Sequence, residues 1–97
     1  MKEELLLELK AKYPIGNIVV CKVIHHMPFG IFVDIKHPLA KGLIQITDFL
    51  DEGVMSQDQY PAIGEMVEAV VLEYVDNDNN QIWLSMKPSV LEKARQL

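Results

Sequence analysis

The sequence predicts an all-β fold, a small closed barrel of five strands with a short helix at either end. Three observations carry this expectation. From Ile15 onward, β-branched and apolar runs alternate with Gly or Pro at short intervals, the pattern of strands separated by turns. The runs number five, and a chain with so few strands disposes of its exposed edges best by joining them into a barrel. The chain has 97 residues, 49% hydrophobic and 24% charged, enough for one core and too short for two.

Each element follows from local chemistry. Glu3 to Lys12 places Leu5 and Leu9, and Leu6 and Leu9, at helical spacing, with glutamates early and lysines late as the helix dipole favours. Pro14 stops this helix. The first strand spans Asn17 to His26 and ends at Met27-Pro28, and the second spans Phe29 to Ile35 before a turn containing Pro38. The third is Gly42 to Thr47. Residues 48–63 are too many for a tight turn and are expected to hold one or two helical turns. The fourth strand is Glu65 to Val75. Asp76 to Asn80 forms a polar turn whose Asn and Asp tolerate left-handed geometry, and Gln81 to Met86 is the fifth strand. Pro88 precedes a terminal helix, Ser89 to Leu97. The resulting division is residues 1–13 as a helical extension, 14–88 as the barrel and 89–97 as a second helix. Neither helix has enough apolar surface to fold alone.

Composition narrows the function classes. Nine Lys and Arg against fourteen Asp and Glu give a net charge of −5, the wrong sign for coating nucleic acid by bulk electrostatics. The charge is uneven: residues 13–50 carry three lysines against two aspartates, whereas residues 51–97 carry three bases against nine acids. A polyanion would therefore have to be met by a local patch before residue 50. The single cysteine, Cys21, lies in an apolar run and allows neither an internal disulfide nor a thiolate cluster. With no signal-peptide pattern and no apolar stretch approaching the roughly 20 residues of a membrane span, the expected setting is the cytoplasm, away from membranes.

Five strings then bear on function: Gly16-Asn17-Ile18-Val19-Val20-Cys21-Lys22-Val23, Phe29-Gly30-Ile31-Phe32-Val33-Asp34-Ile35, Gly42-Leu43-Ile44-Gln45-Ile46-Thr47, Gly64-Glu65-Met66-Val67 and Ile82-Trp83-Leu84-Ser85-Met86-Lys87. In this order and at these separations, over about Ile15 to Lys87, the chain resembles the S1-type RNA-binding domain, a five-stranded OB-fold barrel known from ribosomal protein S1 and polynucleotide phosphorylase. The resemblance implies RNA binding on a face built mainly from strands two and three. Phe29 and Phe32 match the family's paired aromatics. A phenylalanine in a strand is most often a core residue, and residues three apart in a regular strand face opposite ways. Gly30 offers a bend that would let both rings look outward as stacking platforms for bases.

Other positions depart from the family pattern. Gln45 stands where relatives often have a histidine, and Gln81 where many have an arginine that pairs with phosphate or stacks on a base. Both are expected to weaken binding while leaving polar contacts. Asp76 matches an aspartate near the end of strand four, read either as a hydrogen-bond acceptor for RNA or as an ordinary turn residue. Trp83 faces outward by alternation and reads first as an anchor packed under a terminal helix, second as an extra stacking surface. Lys22, Lys36, Lys41 and His37 complete the expected set as backbone contacts, with histidine contacts strengthened by protonation below the usual pKa of about 6.5. His25 and His26 point opposite ways on a strand and complete no metal set, so no metal or other cofactor is expected. No nucleophile motif or phosphate loop points to an enzyme.

The expected function is weak, low-specificity binding of single-stranded or loop RNA. The competing expectation is an OB-fold interaction module docking on a ribosomal, RNA-processing or other protein through its acidic second half or its helices, since a fold of this kind does not fix a function.

Overall fold

Alternation of core and surface residues dictates which way each strand faces. The computed structural model describes residues 1–76 and 80–96. In order, these form α1 (Glu3–Lys12), β1 (Ile18–Met27), β2 (Gly30–Asp34), β3 (Lys41–Gln45), 3₁₀ turns at Ile46–Asp48 and Gln57–Gln59, β4 (Met66–Val75), β5 (Gln81–Ser85) and α2 (Pro88–Arg95). The strands close into a barrel in the order β1-β2-β3-β5-β4, antiparallel except for the β3–β5 pair. This is the all-β architecture the sequence predicts. The centre of the predicted polar turn, Asn77, Asp78 and Asn79, and Leu97 at the end of the predicted terminal helix lie outside the described residues.

The third strand is shorter than its sequence pattern. It stops at Gln45 because the chain turns into a 3₁₀ helix, where Ile46 N–H donates to Phe29 O at 2.8 Å and Asp48 O receives Met86 N–H at 2.8 Å. Inside the barrel, Val23, Ile31, Val33, Ile44, Ala69 and Ile82 are fully buried. Gly42 also faces inward, where a Cβ would come within 2.4 Å of Val33 Cγ2 and 2.8 Å of Leu84 Cδ1, so glycine leaves the room these side chains of the flanking strands fill.

The two ends of the barrel are closed by different means. At one, α1 inserts Leu9, fully buried, and Leu5 into the core, and burial of each leucine contributes roughly 1.5–3 kcal/mol. Tyr13 Oη then donates to Ile35 O at 2.7 Å, and Tyr74 Oη to Tyr13 O at 2.7 Å. At the other end residues 46–64 fold over the opening, with Phe49 and Tyr60 buried 5.6 Å apart and Tyr60 Oη donating to Met27 O at 2.9 Å. The helix α2 packs on β4 and β1. Asp51 holds its start, receiving both the backbone N–H and the hydroxyl of Ser89, and these bonds pull the Asp51 carboxyl below its usual range.

Candidate functional site

Two irregularities in pairing decide what the outer wall displays. Uniform alternation from Val23 would turn His25 inward, and from Val71 would turn Glu73 inward. The register shifts between Val23 and His25 in β1, and between Val71 and Glu73 in β4. Each shift consumes one residue and returns the polar side chain to solvent, as a β-bulge does. The outcome is a transverse row with one residue from every strand: His25 opposite Phe32, Phe32 opposite Leu43, Leu43 opposite Trp83, and Trp83 opposite Glu73.

Phe32 points outward because Ile31 and Val33 on either side of it are core residues. Phe29, 48% exposed, precedes the strand and sets its ring edge-on to Phe32, with centroids 6.0 Å apart. Gly30 makes this possible. It adopts φ +154°, and a Cβ there would sit 2.2 Å from Ile44 O and 2.9 Å from Gln45 Cα, so only glycine allows β2 to start this close to β3. Around the rings, Gln45 is the register partner of Gly30. Lys41 lies two residues along β3 from Leu43 on the same face, exposed, and is the register partner of Gln81. Lys22 is exposed opposite Asp34, whose carboxylate accepts Lys36 N–H at 2.7 Å in a turn where Lys36 has φ +62°.

The remaining residues of the expected set are engaged by other groups of the chain. The His37 side chain is only 2% exposed and faces α1: Nδ1 accepts Leu39 N–H at 3.1 Å, and Nε2 lies 3.2 Å from Glu8 Oε1, an approach not aligned as a hydrogen bond. Lys12 first, and then His37, hold the Glu8 carboxyl below its usual range. The Asp76 carboxylate pairs with the N-terminal ammonium of Met1, one residue past Val75, the register partner of Gln81. Gln81 is 6% exposed and accepts the Trp83 indole N–H at 2.9 Å. The structure therefore brings together Phe29, Phe32, Gln45, Lys41 and Gln81 on one face, with Lys22 and Lys36 at its margin. It turns His37 and Asp76 toward the α1 end.

Three residues outside the expected set belong to the face. His25 is exposed beside Phe32, but only the bulge puts it there, and its one trace in the sequence is a polar residue at a position alternation assigns to the core. Leu43 bridges Phe32 and Trp83. Trp83 sits between Leu43 and Glu73, whereas α2 packs on β4 and β1. Cys21 takes no part: burial first, and then the Asp34 charge, push its thiol up to about 12, leaving it protonated and inert. Among the described residues no group of His, Cys, Asp and Glu is placed to hold a metal ion, and no helix is long and apolar enough to cross a membrane.

Comparison with known proteins places this geometry. The family model described as the S1 RNA binding domain matches residues 12–87. The chain is 38% identical over 80 residues to a 4-hydroxy-3-methylbut-2-enyl diphosphate reductase of Clostridium tetani, covering 82% of this chain and 12% of that protein. It is 35% identical to the small ribosomal subunit protein bS1 of Staphylococcus saprophyticus, covering 97% of this chain and 23% of that protein. The solution structure of GSP13 from Bacillus subtilis superposes with a TM-score of 0.63 at 27% identity, over 77% of this chain and 56% of that one. The chain thus spans about an eighth of the length of the reductase and about a quarter of the ribosomal protein.

Proposed function

The chain belongs to the S1 RNA-binding domain family, and from that premise we propose that it binds single-stranded or loop RNA through the β2–β3 face, weakly and with little sequence preference. The observation that carries this reading is the Phe29–Phe32 pair, two outward rings in edge contact beside Gln45 and Lys41. Every base has a π-face, so stacking on exposed rings binds RNA without reading sequence, at about 1–3 kcal/mol per base. Gln45 supplies a donor and an acceptor at the edge of a stacked base. Lys41 and Lys22 meet the backbone, and Asp34 between them limits how much phosphate charge the face neutralises. His37 and Asp76 are left out of the contact set, since the His37 side chain is buried against α1 and the Asp76 carboxylate is paired with the N-terminus.

Binding of labelled oligo-RNA at low salt tests the reading. The wild type binds, and the Phe29→Ala, Phe32→Ala double variant loses most of its affinity while keeping its circular dichroism. Equal affinities would remove these rings from the interface. If the wild type binds no RNA at low salt, where the phosphate attraction is strongest, a protein-docking role through the acidic second half takes its place. The ribosome and RNA-processing assemblies are the partners to try first, in keeping with the resemblance to the ribosomal protein.

A further inference from the structure

The row across the outer face continues beyond the phenylalanines. Leu43 points outward, because Gly42 and Ile44 on either side of it face the core, yet it is only 4% exposed. Val70, an outward residue buried to the same degree at 3%, lies under α2. Leu43 is instead flanked by Phe32 on one strand and Trp83 on the other. Two strand-to-strand steps separate the backbones of Phe32 and Trp83 by about 10 Å. The indole is also oriented, since Trp83 Nε1 donates to Gln81 Oε1 at 2.9 Å along the same strand. That bond satisfies the ring's polar atom from its edge, so a base could cover the ring without stranding an N–H. Past Trp83 the register partner is Glu73, exposed, whose carboxylate would repel a phosphate led any further.

We propose that Trp83 is a second stacking platform for RNA, set across Leu43 from the Phe29–Phe32 pair, with Gln81 as the residue that positions its indole. The inference rests on the RNA-binding reading above and adds a direction to it: the RNA crosses the strands from β2 toward β5, and its footprint ends at the Glu73 side. On this account Gln81 acts through the ring and does not itself bind RNA.

Trp83 is the single tryptophan of the chain, so its emission reports this position alone. The wild type is titrated with oligouridylate, following tryptophan emission in one series and the anisotropy of a labelled copy in the other. Saturable quenching with the same midpoint in both series is expected. Trp83→Leu, which keeps apolar cover over Leu43, should weaken binding roughly tenfold, and Trp83→Phe should restore most of the loss. Gln81→Met, of similar shape but with no amide acceptor, should reduce the depth of quenching at saturation and cost less affinity than Trp83→Leu. Binding that leaves Trp83 emission unchanged would overturn this inference while leaving the phenylalanine site intact. Absence of any binding at low salt would overturn both. Should Trp83→Leu fail to fold by circular dichroism, the wild-type emission at saturating RNA decides alone.

Discussion

One wall of the barrel carries residues of the same expected role at both of its ends, and the two ends treat them differently. Near the lid formed by residues 46–64, Phe29 and Phe32 meet edge to face on the outer wall, Phe29 half exposed, with Gln45 beside them. Near α1, His37, Asp76 and Gln81 have polar atoms occupied by Leu39 and Glu8, by the N-terminal ammonium and by the Trp83 indole. The difference teaches that a residue type at a matching position offers only a capability. Whether the group is available depends on what the chain ends and helices do nearby: α1 buries His37 against Glu8, and the N-terminal ammonium takes Asp76.

The comparison can be broken from either side. The largest effect is expected from Leu9→Ala, which empties the plug at the α1 end. It should cost about 2–5 kcal/mol in urea denaturation, and the protein that remains folded should keep its RNA affinity. A parallel loss of RNA affinity in the folded fraction would mean that the two ends are coupled. Next comes the Phe29→Ala, Phe32→Ala double variant, with the opposite signature: about 1–3 kcal/mol of binding lost per stacked base by anisotropy, and a smaller drop in the urea midpoint than for Leu9→Ala, since Phe29 is already half exposed.

Smaller effects sharpen the contrast. With Lys22 and Lys41 as the phosphate contacts, the slope of log affinity against log salt should be only about −1.4, so raising salt from about 50 to 200 mM costs roughly sevenfold. A much steeper slope would assign the phosphate contacts to more cations than this face carries. The α1 end should respond to acid. The folded state holds Glu8 below its ordinary value of 4.5 through Lys12 and His37, so this attachment contributes fully above about pH 4.5 and is lost as pH falls through the lower folded value. Glu8→Gln should remove that acid sensitivity of the helix signal. Smallest of all, His37→Ala should leave RNA affinity within about twofold, as for a residue away from the interface. A larger loss would return His37 to the binding face.

Much of this was legible in the residues. Glu3–Lys12 announced its helix by leucine spacing and charge order, and Gly30 marked the bend beneath the ring pair. Trp83 was legible as an outward ring between Ile82 and Leu84, but not its neighbours. The positions of His25 and Glu73 were hidden, because a bulge reverses alternation and leaves in the sequence only a polar residue at an inward position.

What the sequence determined by itself was local: strand and turn propensities, the inward alternation of Val, Ile and Leu, and an aromatic pair on a chain whose acid lies mostly after residue 50. These follow from short-range sterics and hydrophobic periodicity, which neighbours along the chain suffice to set. What only the tertiary structure decided was which polar groups remain free and which side chains share a row. That depends on closing β3 against β5 in parallel and on docking α1 in the barrel's end, contacts between residues far apart in sequence that no local pattern encodes.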